Sequence, residues 1–167
     1  MIDLLEKAQR FEEGVHHLFS LEGVFAPEHA IIYSVCEELD DDLQVPSVTF
    51  AEIAEGGDIY QLLGSTNVHD ACRVSDCVAV LTSGWASPAD SIKDCPPSQH
   101  PDRRRVRLIC LTDESGMASV IRFSDDIDNP IVDAGTATGS LADALQQMFI
   151  TSKMLSLVAD DFAGFTD

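Results

Sequence analysis

Residues 106–123 constrain the fold more than any other stretch of the chain. Val106–Thr112 reads Val-Arg-Leu-Ile-Cys-Leu-Thr, Met117–Phe123 reads Met-Ala-Ser-Val-Ile-Arg-Phe, and Asp113-Glu114-Ser115-Gly116 lies between them. Both runs are rich in β-branched and apolar residues, and the short polar segment ends in glycine. That combination predicts a β-hairpin. Period-two alternation places Val106, Leu108 and Cys110 on one face of the first strand, opposite Arg107, Ile109 and Leu111. A hairpin alone cannot bury a core, so further strands and helices must cover it.

The flanking sequence supplies them. Cys77–Thr82 reads Cys-Val-Ala-Val-Leu-Thr, a short apolar strand expected to stop near Gly84. Leu4, Ala8, Phe11, Val15, Leu18 and Phe19 recur at three- and four-residue steps, which predicts an amphipathic helix ended by Gly23. Residues 27–39 fit helical spacing too, but Ala30–Val35 is β-rich and a helix would end against Asp40–Asp42, so a strand is expected there. Thr49 with Glu52 and Asp58 with Gln61 match the capping-box spacing and predict two short helices. Ser140 with Asp143 predicts the start of a last helix carrying Leu141, Leu145, Met148 and Phe149. Ser87–Asp102 reads as a long polar loop. The expected fold class is α+β: a mostly antiparallel sheet with an N-terminal and a C-terminal helix packed on it, the helices on one face. At 167 residues the chain is expected to be a single domain, 1–167.

Charge narrows the partners. Against 29 Asp+Glu stand 10 Lys+Arg, a formal net charge of −19. Such a field repels nucleic-acid phosphates and anionic lipid, so neither direct nucleic-acid binding nor a membrane is expected. Residues 1–72 hold 15 acids and two bases, residues 73–122 six and seven, and residues 123–167 eight and one. Four of the cations fall together at Arg103, Arg104, Arg105 and Arg107. The acids of Glu37–Asp42 and of Asp125, Asp126 and Asp128 lack an EF-hand's glycine and closing glutamate, and read as solvated loops. Met1–Arg10 has no basic head followed by an apolar run, and the five cysteines are an odd count, which together suggest reduced thiols in the cytoplasm.

The residues that could carry chemistry form no complete set. His69, Cys72 and Cys77 lie close in sequence, but zinc needs four ligands and the chain has neither Cys-x-x-Cys nor His-x-x-x-His. Cys95 and His100 on the polar loop are the only pair suited to a thiolate and its base. Gly135–Ser140 precedes a helix, as an anion-binding turn would, but carries no Walker lysine. The expectation is therefore no metal, no cofactor and no catalytic residue.

Gly84-Trp85-Ala86, Pro97-Ser98, His100-Pro101 and Arg103-Arg104-Arg105-Val106-Arg107, followed by the hairpin and a terminal helix, resemble small acidic uncharacterised proteins of actinobacteria and their phages. The resemblance covers about half the chain, mainly 56–150. It implies a bacterial or phage setting and no particular activity.

Trp85 is the only tryptophan, and tryptophan and arginine dominate binding hot spots. Arg105 and Arg107 share strand parity, and Arg103 joins them if the strand begins early. Trp85, Arg103, Arg104, Arg105 and Arg107 are thus the candidate interaction residues. The competing use of the arginines is to neutralise the protein's own carboxylates. The functional expectation is a cytosolic, non-enzymatic interaction or regulatory protein that binds another protein through charged surfaces. The alternatives are a small enzyme with its site on loop 87–102 and an acidic DNA-mimic inhibitor.

Overall fold

The computed structural model describes residues 3–37, 46–53, 58–88, 95–134 and 140–163. Helix α1 (Leu4–Leu21) leads into strands β1 (Ile31–Glu37) and β2 (Pro46–Ile53). Two short helices follow, α2 (Ile59–Leu63) and α3 (Thr66–Arg73). Then come β3 (Cys77–Ala86), β4 (Arg104–Asp113), β5 (Gly116–Phe123), β6 (Asp126–Ala134) and helix α4 (Ser140–Ala163). The strands form one six-stranded sheet in the order β2-β1-β3-β4-β5-β6. Every pairing is antiparallel.

The hairpin is β4 and β5, paired from Val106 opposite Phe123 to Asp113 opposite Gly116. Asp113 accepts from the Ser115 N–H at 2.7 Å, and Gly116 takes φ +151°, a conformation that a side chain disfavours. Helix α1 begins where Asp3 accepts from the Glu6 N–H at 2.8 Å and ends at Gly23, whose φ of +69° is the left-handed C-terminal conformation. Asp58 caps α2 as its spacing predicts, accepting from the N–H groups of Tyr60 and Gln61.

Strand alternation divides the core into two layers. Ala79 and Leu81 of β3, Ile109 and Leu111 of β4, and Ala118 and Val120 of β5 pack with Ala8 and Phe11 of α1. Val78 and Val80 of β3 and Cys110 of β4 point the other way, against Val68 of α3 and Leu145 and Phe149 of α4. The helices therefore cover both faces of the sheet, not one. The reason is the composition of the central strands, whose consecutive residues Cys77–Leu81 and Ile109–Thr112 are all buried; a strand apolar on both faces must be covered on both.

Two further expectations are corrected. Thr49–Glu52 belongs to strand β2, not to a helix: Val48, Thr49 and Phe50 favour extended backbone, and pairing with β1 outweighs a capping match. The acids Asp126 and Asp128 lie on β6, not in a loop, although both remain exposed. Strand β6 contains Pro130, which fits its place at the edge of the sheet. Residues 38–45, most of the Glu37–Asp42 run, and residues 135–139, ahead of α4, lie outside the described residues. Among the described residues no helix is long and apolar enough to cross a membrane.

Candidate interaction surface

The five candidate residues separate into three places. Strand β3 is buried for its first five residues and then emerges from the core, and Trp85 near its end is 39% exposed. Trp85 faces Arg105 directly across the β3–β4 ladder. By parity they share the α1 face of the sheet with Ser83 and Arg107. The Arg103 and Arg105 guanidinium carbons lie 4.9 and 5.3 Å from the centroid of the indole ring. Both distances are within cation–π range.

Local hydrogen bonds fix this arrangement. Arg105 donates from Nη2 to the Ser83 hydroxyl at 2.9 Å. Arg103 donates its backbone N–H to the His100 carbonyl at 3.2 Å, and the same carbonyl accepts from its Nη1 at 3.5 Å. The Asp102 N–H donates to His100 Nδ1 at 3.0 Å, which closes the turn before β4. Among the described residues neither Arg103 nor Arg105 is paired with a carboxylate, whereas Lys7, Arg10, Arg73, Arg104, Arg107 and Arg122 all are.

Arg104 turns to the opposite face. Its guanidinium carbon sits 3.9 Å from the Phe123 ring centroid, and its edge holds Asp125 through contacts of 2.6, 2.8 and 3.1 Å. The Arg104 hydrogen bond holds the Asp125 carboxyl below its ordinary range. Arg104 is thus claimed by the chain's own acid.

Arg107 lies in the core and is 1% exposed, so it cannot form part of a contact surface. Strand parity aligned it with Arg105, but α1 lies over Arg107. Its Nη2 donates to Glu12 Oε1 at 2.8 Å and meets His16 Nδ1 at 2.9 Å, and its Nη1 donates to the Phe25 carbonyl at 2.6 Å. Arg122 grips the same carboxylate from β5, with Nε 2.7 Å from Oε1 and Nη2 2.6 Å from Oε2. Arg122 also donates to the Ile127 carbonyl. Burial pushes Glu12 up, but hydrogen bonds and charge from Arg122 and Arg107 outweigh it and hold its pKa below the ordinary value. This Arg-Glu-Arg network joins residues of α1, β4 and β5 that no spacing in the sequence connects. The available signal was Glu12 itself, a carboxylate beside Phe11 inside the apolar stripe of α1.

The remaining chemical candidates are dispersed or occupied. Cys72 packs under α4 and Cys77 under α1, so the sheet separates two of the three residues considered for zinc. His69 Nδ1 pairs with the buried Ser152 hydroxyl at 2.8 Å. Burial pushes the Cys72 thiol up to about 12 and the Cys110 thiol up to about 11, which makes both poor nucleophiles near neutral pH. Cys95 is half-buried, and residues 89–94 of the same loop lie outside the described residues. Among the described residues no three His, Cys, Asp or Glu side chains gather as a metal site would require.

Comparison with protein-family models, with curated proteins and with solved structures finds no match to this chain.

Proposed function

We propose that this chain is a cytosolic, non-enzymatic interaction protein that binds another protein through the surface formed by Trp85, Arg103 and Arg105. The observation that carries this reading is the pair of arginines stacked on a partly exposed indole without a carboxylate partner among the described residues. In a chain with 29 acids against 10 bases, self-neutralisation is the ordinary fate of a surface cation. Arg104 and Arg107 meet that fate, and among the described residues no carboxylate brings Arg103 or Arg105 to it. Tryptophan and arginine also combine large contact area with directed hydrogen bonding, which is why they anchor interfaces.

The test is charge reversal. A partner captured on the wild-type chain is titrated against Arg103→Glu/Arg105→Glu. Neither arginine contributes a core contact, so the melting temperature should change little. Partner affinity should fall at least about tenfold, equivalent to about 1.4 kcal/mol. Unchanged affinity in the folded double variant refutes the reading.

A further inference from the structure

We propose that the Trp85–Arg103–Arg105 surface takes an oxyanion carried on a short acidic peptide segment of the partner, a carboxylate or a phosphate monoester; this rests on the reading of that surface as a protein contact. The geometry within the chain supplies the template. Arg104 lies over Phe123, and the carboxylate of Asp125 takes its edge. Stacking uses the flat face of a guanidinium and leaves its N–H groups, which lie in the plane, free to grip an oxyanion. The Arg103 and Arg105 guanidinium carbons likewise lie over the Trp85 ring, farther out at 4.9 and 5.3 Å from its centroid. One Nη of Arg105 is engaged by Ser83 and one Nη of Arg103 by His100, and no carboxylate of the described residues takes the edge of either. A guanidinium set against an aromatic ring thus occurs on both faces of one strand, and among the described residues the protein's own acid completes it on one face only.

Charge selects the size and type of ligand. The two guanidinium groups flank one indole and together carry two positive charges, which suits a phosphate monoester near −2 or a pair of adjacent carboxylates. The rest of the chain, at −19 overall, opposes any long polyanion that must extend past these residues. A nucleic acid or an anionic membrane meets that opposition over its whole length. A short segment with one or two negative groups meets only the local cations.

Trp85 is the only tryptophan, so its fluorescence reports on this site without a label. The 167-residue chain is titrated with three synthetic peptides of one backbone sequence: one with two adjacent glutamates, one with a single phosphoserine, and one with glutamines in their place. The two acidic peptides should change Trp85 emission saturably, and the glutamine peptide should not. Arg103→Gln/Arg105→Gln should weaken acidic-peptide binding at least tenfold, while Arg104→Gln should leave it within twofold. Tighter binding of the phosphoserine peptide assigns the oxyanion as phosphate, and tighter or equal binding of the glutamate peptide assigns it as carboxylate. No saturable response to either acidic peptide up to about 1 mM, a limit near −4 kcal/mol, overturns the proposal. Equal binding by the double variant, or a saturable response to a single-stranded oligonucleotide or to anionic vesicles in place of the peptides, also overturns it. If the acidic peptides fail while Arg103→Glu/Arg105→Glu still abolishes partner binding, the oxyanion chemistry is wrong and the contact surface stands. If the charge reversal leaves partner binding intact, the surface itself is wrong.

Discussion

Replacing Glu12 by Gln should destabilise the protein more than any other single conservative change at a charged residue. Glu12 and Arg107 are each 1% exposed and Arg122 is 5% exposed. One carboxylate accepts three hydrogen bonds, of 2.6, 2.7 and 2.8 Å, from the two guanidinium groups. The amide keeps the shape but removes the charge, and its NH2 points a donor at a donor. Two buried cations are then left without a counter-charge. Removing one partner of a buried pair costs about 3–5 kcal/mol, and here one substitution strips two partners, which places the loss near the upper end. For a chain of this size each kcal/mol moves the melting temperature by about 2–4 °C, so the midpoint should fall by about 10–20 °C. Thermal melts followed by circular dichroism, with urea titrations beside them, measure this. Arg104→Gln is the control: it breaks a solvent-exposed pair and should leave the melting midpoint nearly unchanged. A Glu12→Gln protein that melts with the Arg104→Gln control would refute the reasoning. Replacing Glu12, Arg107 and Arg122 together by leucine, leucine and methionine should recover much of the loss, because the desolvated charges disappear with the pair.

The same network predicts weakening in acid. Glu12 titrates below its ordinary 4.5 in the folded protein, so its stabilisation is present above that value and lost as pH falls through the folded pKa. Burial and the charges of Arg122 and Arg107 lower His16 from 6.5, against the opposing charges of Glu12 and Asp128; its share is present above 6.5 and lost as pH falls below it. The urea midpoint should therefore decline from about pH 7 to 5, and His16→Gln should flatten that interval, which equilibrium unfolding at each pH will show. Of Cys72, Cys77, Cys95 and Cys110, only Cys95 is not fully buried, so brief maleimide labelling of the native protein followed by peptide mass mapping should modify Cys95 first. Gly23→Ala should cost about 1–2 kcal/mol by urea unfolding, because φ of +69° strains any residue with a Cβ even though nothing crowds the position.

The sequence alone was enough for the features set by neighbours in the chain. The β4–β5 hairpin, the stripe and Gly23 stop of α1, the Asp58 cap of α2 and the α+β class all rest on periodicity or on contacts a few residues long, and those signals are local. Thr49–Glu52 misled for the same reason: a capping match is local, while pairing with β1 is not. Strand β6 went unseen because an edge strand needs little apolar alternation once β5 offers it a ladder. The sorting of the arginines was out of reach altogether. Arg104, Arg105 and Arg107 lie within four positions, and alternation alone groups Arg105 with Arg107. Only the tertiary fold lays α1 across Arg107 and stops short of Arg105, brings Glu12 to Arg107 and Arg122 across sequence separations of 95 and 110, and sets Trp85 across from Arg105. Those neighbours decide which guanidinium groups are buried, which are paired with a carboxylate at the surface and which are set against the indole. Burial and electrostatic pairing depend on what lies within a few ångströms in space, and distance along the chain does not encode that.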